Sequence, residues 1–172
     1  MRTRESTPKA RADRSLLPRM GQGFYWQDLR PGQRLRTFRR TITESDLIAF
    51  VGVTGMLEEI FIDATAERAM AGRFVPAALT YTFVEGFILQ SMVQGTGLAL
   101  LELTQKVVAP VFVGDSIDAT VEIEAVRPTS RGNRAIVTSR IDVYNQHDNL
   151  VLTYSTVRLL KGCPDAAAEN PE

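Results

Sequence analysis

Residues 77–95, AALTYTFVEGFILQSMVQG, constrain the fold more than any other stretch of this chain. Leu79, Phe83, Val84, Phe87, Ile88, Leu89, Met92 and Val93 spread apolar surface around nearly the whole circumference of a helix, and Glu85 carries its only charge. A helix that is apolar on almost every side has to be buried. Gly95 and Gly97 end it. After it the sequence reads only as strand. SIDATVEIEAV alternates, with Ile117, Ala119, Val121, Ile123 and Ala125 on one face and Asp118, Thr120, Glu122 and Glu124 on the other. RAIVTSRIDVY alternates likewise through Ala135, Val137, Ile141 and Val143, and LVLTYSTVRLL closes the set. PTSRGN and NQHDN between them read as hairpin connections. A long buried helix followed by three or four long antiparallel strands implies an α+β domain in which one curled sheet wraps a central helix.

Upstream, a short strand fits Gln33 to Ile42. Thr43 then caps a helix, with Asp46 three residues on as its capping-box partner and Leu47, Ile48 and Val51 as the apolar face. Gly52 and Gly55 mark its exit, and a second short helix is predicted over Ala64 to Met70. No internal repeat is present, and 172 residues suit one domain. Residues 1–23, polar and broken by Pro8, Pro18, Gly21 and Gly23, read as a disordered basic arm. The folded domain is expected over 24–161 and a disordered tail over 162–172.

The net charge is zero but unevenly divided. Residues 1–40 hold eleven Lys or Arg against three acids, about +8, and the remainder offsets it. With no aromatic residue interleaved before Phe24, the arm reads as a solvated tail rather than a nucleic-acid or membrane-binding surface. A start at Met20 would remove six of those cations. No apolar run reaches membrane-helix length and no secretory pattern opens the chain, so a cytoplasmic protein is expected. The single Cys163, remote from clustered histidines, offers neither a disulfide nor a metal site.

Four stretches together resemble the MaoC-like family of hotdog hydratases and dehydratases, which act on acyl thioesters. They are FYWQDLRPGQRL, RTITESDLIAFVGVTG, PVFVGDSIDATVEIEAVRP and IDVYNQHDNLVL, and the resemblance spans about residues 24–160. It implies a single hotdog domain that pairs as a homodimer or with another hotdog subunit. Its ligand would be an acyl thioester of CoA or acyl carrier protein, with no separate cofactor. Active members of the family follow the TG with an Asp, an Asn-Pro pair and a His, and the Asp and His activate the water that adds to an enoyl thioester. Here the Asp position holds Met56, the Asn-Pro positions hold Glu58 and Glu59, and the His position holds Phe61. Neither Met nor Phe handles protons. Asp63, a structural acid in the family, is kept. The family's His-Gly pair, whose Gly amide binds the thioester oxygen, is replaced by Pro76 and Ala77, and Ala77 retains its amide. The substrate-binding residues implied are therefore Met56, Phe61, Val75, Pro76 and Ala77.

Other residues offer less. His147, the only histidine, lies in a hairpin loop and reads as a turn residue. Ser91 has no neighbouring base in sequence, and GVTG is too short for a phosphate loop. Glu59 beside the vacated dyad and Glu85 on the central helix are the candidate catalytic acids; the plainer readings are a solvated loop acid and an acid paired with an arginine. The expected function is acyl-thioester binding without catalysis, or service as a partner subunit. The alternative is a hydratase, dehydratase or thioesterase working through Glu59 or Glu85.

Overall fold

The computed structural model describes residues 20–63, 65 and 72–164. Most of the predicted arm and tail, and the predicted helix over Ala64 to Met70 apart from Thr65, lie outside the described residues. Among the described residues a 3-10 turn (Trp26–Asp28) is followed in order by nine strands and α-helices: β1 (Arg34–Arg36), β2 (Arg40–Thr41), α1 (Glu44–Thr54), α2 (Glu59–Ile62), α3 (Ala77–Ser91), β3 (Gly97–Val107), β4 (Ser116–Pro128), β5 (Arg134–Tyr144) and β6 (Leu150–Lys161). The sheet is antiparallel in the order β1-β4-β5-β6-β3, with β2 also pairing to β4. Its buried face is built by alternation. Ile117, Ala119, Val121 and Ile123 of β4, Val137 and Ile141 of β5, and Leu152, Tyr154 and Leu160 of β6 join Leu79, Val84 and Ile88 of α3 in one core.

Several local features follow the sequence closely. Thr43 caps α1, accepting from the Asp46 amide while Asp46 accepts from the Thr43 amide, and Gly55 ends the helix in the left-handed conformation. Although burial opposes it, the bonds from Thr43 and the nearby Arg40 guanidinium hold the Asp46 carboxyl below the usual range. Asn145, at the β5–β6 turn, accepts from the His147 amide through its side chain, and His147 is exposed at the tip.

Four expectations are corrected. The single strand over Gln33 to Ile42 is two short ones, because Arg36 and Arg39 both turn to Asp118 across the interruption. Asp118, placed by alternation on the polar face, is nevertheless buried, since those two guanidinium groups roof it. Ala125 is exposed rather than in the core, because a register shift between Ile123 and Ala125 breaks the alternation. Ile48 also points to solvent, leaving Leu47 and Val51 as the buried face of α1.

The central helix is covered less evenly than its composition suggests. Its sheet-facing side is sealed, and Phe38 packs on Phe87 while the Arg40 guanidinium lies over the Phe83 ring. Leu89 on the remaining side is about half exposed. At the far end of α3 the chain's entry segment closes the helix: the Gly23 amide donates to Gln94 O and the Phe24 amide to Met92 O, each at 2.8 Å. A Cβ on Gly23 would lie 2.5 Å from Met92 O and 2.6 Å from Gln94 N. Gly23→Ala is therefore expected to destabilise the domain by about 1–3 kcal/mol. Gly52→Ala, in an exposed helical position with open space around it, should stabilise by roughly 0.5–1 kcal/mol. Chemical denaturation of the two variants measures both effects.

Candidate functional site

The residues that the resemblance matches to the family's Asp and His stand on the segment between α1 and α3. Met56 follows the left-handed Gly55 and is more than a third exposed. Phe61, in α2, is partly buried against the core. Its carbonyl accepts from Arg73 Nη2 at 2.6 Å, and the other terminal nitrogen of Arg73 pairs with Glu44 at the start of α1. One arginine thus ties α2 to α1. The surrounding acids are occupied by local structure. Glu58 caps α2 by accepting from the Ile60 amide at 2.9 Å. Asp63 accepts from the Thr65 amide and hydroxyl, which lowers its pKa. Glu59 opens α2 on the surface.

A small pocket lies at the start of α3. Val75 reaches it from a backbone bond to Val111 O of 2.8 Å, and the aromatic pair Phe74–Phe112, 4.7 Å between centroids, fixes the same crossing. Pro76 is the N-cap residue and offers no side-chain cap. Val75, Ala77, Thr80, Val107, Val111 and Leu152 are among the residues that wall the pocket, whose volume is about 40 Å³. Of the five expected binding residues, the structure brings Val75 and Ala77 into this one wall. Pro76 stands between them, and Met56 and Phe61 are not part of the lining. Sequence reading missed Thr80. A threonine within an apolar helix gives no signal of its own, and only its burial at this pocket picks it out.

Glu85 belongs to a different place. It lines an open groove of about 530 Å³ between the uncovered side of α3 and the start of β3, with Tyr81, Leu89, Leu98, Leu100 and Arg158. Both its oxygens accept from Arg158 Nη2, at 2.6 and 2.7 Å, and Tyr154 donates to it at 2.8 Å. Arg158 also contacts the Thr156 hydroxyl. Burial, reinforced by the adjacent Glu85 carboxylate, pushes the Tyr154 hydroxyl far above the usual tyrosine range and raises Tyr81 too. The phenols therefore stay protonated, and Tyr154 acts as a donor to Glu85. The one charge of α3 is thus held by a cation from β6. Among the described residues no group of three His, Cys, Asp or Glu is arranged to hold a metal, and no helix is long and apolar enough to cross a membrane.

The fold has counterparts among known proteins. The family described as FAS1-like, dehydratase domain region, matches residues 30–154. A MaoC-like dehydratase from Rhodospirillum rubrum is 22% identical, with a TM-score of 0.71 over 83% of this chain and 99% of that one. The R-hydratase PhaJ1 from Pseudomonas aeruginosa, in its unliganded form, is 24% identical, with a TM-score of 0.67 over 81% of this chain and 86% of that one. A Mycobacterium tuberculosis protein with a double hotdog fold is 21% identical, with a TM-score of 0.76 over 90% of this chain and 48% of that one. These likenesses establish the hotdog fold. None of the curated proteins matches the sequence significantly.

The Glu85–Arg158 pair makes a direct prediction. Arg158→Met leaves a largely buried carboxylate without its cation and should cost about 3 kcal/mol. Glu85→Leu combined with Arg158→Met should recover most of that loss in urea denaturation.

Proposed function

The chain belongs to the family of FAS1-like dehydratase domain regions, within the MaoC-like hotdog hydratases and dehydratases, and from that membership we propose that it binds acyl thioesters without carrying out the family's proton transfer. The observation that carries this reading is the pair Met56 and Phe61 at the positions of the dyad, with Phe61 packed on the core and its carbonyl pinned by Arg73. Water addition to an enoyl thioester needs a base for the water and an acid for the α-carbon. A thioether and a phenyl ring supply neither. The α3 N-terminus, by contrast, keeps what thioester binding needs: a helix dipole and an open first turn at Ala77, with no acid to oppose a polarised oxygen.

The alternative, catalysis through Glu59 or Glu85, finds less support. Glu59 is exposed on a one-turn helix, and Glu85 is held by Arg158 and Tyr154 away from the pocket at Val75 and Ala77. The purified protein should bind crotonyl-CoA in calorimetry while leaving its enoyl absorbance unchanged, under conditions where a dyad-containing hydratase consumes it. Sustained turnover would refute the non-catalytic reading, and Glu59→Gln and Glu85→Gln would then show which acid is responsible.

The protein also works as a pair, either with a second copy or with another hotdog subunit. All residues of β3 are exposed, among them Leu98, Leu100, Leu101 and Leu103, and among the described residues the strand ends the sheet with one edge unpaired. A long apolar edge left to water is a site for strand addition. The double hotdog fold of the similar Mycobacterium tuberculosis protein has room for two such domains in one chain. Leu101→Lys should shift the protein from dimer to monomer in light scattering. A wild type that is already monomeric would favour a different hotdog chain as the partner.

A further inference from the structure

We infer that the Thr80 hydroxyl is the hydrogen-bond donor that recognises the carbonyl oxygen of the acyl thioester, an inference that rests on the thioester-binding reading above. Thr80 is 1% exposed. Its Oγ has no hydrogen-bond partner among the described residues. That is unusual within its own helix. Thr82 donates to Ala78 O at 2.9 Å and Ser91 to Phe87 O at 2.6 Å, each reaching one turn back as helical hydroxyls do. The equivalent acceptor for Thr80 is the carbonyl of Pro76, which already accepts from both the Leu79 and Thr80 amides. A buried hydroxyl left unpaired costs on the order of 1–3 kcal/mol. Valine would fill the same space without that cost.

The surroundings define what the hydroxyl can meet. Among the described residues every other side chain lining the pocket is apolar, so Thr80 supplies its single polar side-chain group there. No cation or acid of the described residues lines it, which disfavours a phosphate or an ammonium. Its volume of about 40 Å³ admits one carbonyl-sized group and not an acyl chain. The amides of Ala77 and Ala78 precede the first helical bonds of α3, and Pro76 provides no side-chain cap for them. A carbonyl oxygen at this helix end accepts from the hydroxyl and from a free amide together, and the helix dipole favours its partial negative charge. The thioester oxygen is thus selected by a donor pair, one from backbone and one from Thr80.

The test compares butyryl-CoA with S-butyl-CoA, the thioether that lacks the carbonyl oxygen, by titration calorimetry. Wild type should bind the thioester roughly tenfold more tightly, the effect of about one hydrogen bond. Thr80→Val should lose most of that preference by weakening thioester binding alone, the backbone amide retaining the rest, and Thr80→Ser should restore it. The unliganded Thr80→Val protein should melt at or above the wild-type temperature, because it removes an unpaired hydroxyl. A lower melting temperature would assign the hydroxyl a structural role and overturn the inference. Equal affinity of wild type for the two ligands, or an unchanged preference in Thr80→Val, would overturn it while leaving thioester binding intact. Binding of neither ligand by wild type would overturn both the inference and the proposed function.

Discussion

A fifteen-residue helix with a single charged side chain needs cover on all sides, and one antiparallel sheet covers it on one. Much of the structure answers that need. The sheet face supplies aliphatic residues at alternate positions. Phe38, between β1 and β2, and Arg40, at the start of β2, lie on a second side of the helix. The entry segment at Gly23 and Phe24 closes the far end. The charge itself is accommodated by Arg158, whose guanidinium lies in the buried face of β6, where the pattern otherwise asks for an apolar residue. A buried pair of this kind adds little net stability but sets which face of the helix meets which strand.

The small pocket and the ion pair are separated along the same helix. Its N-terminus opens into the small apolar pocket with Thr80, whereas Glu85, further along, faces the groove beside β3. The two acids that sequence reading put forward as catalysts are therefore in two different environments, neither of them the pocket. Glu59 lies on the surface, and Glu85 is bound in an ion pair. The segment that resemblance matches to the family's Asp and His carries a thioether and an aromatic ring, and the polar side chain of the pocket among the described residues is a hydroxyl.

The fold was legible because its signals are periodic. The apolar character of residues 77–95 and the alternation in β4 and β5 specify a helix and a sheet with few alternatives. The Thr43–Asp46 box and Gly55 locate α1 to within a residue. Failures came where a local event breaks the period. The bulge after Ile123 turns Ala125 outward, and the two arginines that bury Asp118 come from the break between β1 and β2, about eighty residues away. The candidate site residues came from resemblance alone, a route that marks positions that matter in relatives, and of them the structure gathers Val75 and Ala77 at one pocket. Thr80 and Arg158 escaped it. Arg158 pairs with Glu85 at a separation of 73 residues, and Thr80 stands out only by its burial without a partner among the described residues, neither of which a linear pattern records.

At the corner where β4 turns into β5, Asn133 receives bonds from Trp26 and Gln27 through its side-chain oxygen, while its amide nitrogen donates to Cys163 O and its backbone carbonyl accepts from Gly162. The first turn and the last strand exit are thereby stapled to one hairpin tip. Residues 26–27 and 162–163 therefore meet at one point on the domain's surface. Losing the Asn133 side chain would loosen both of these segments together and not the hairpin alone.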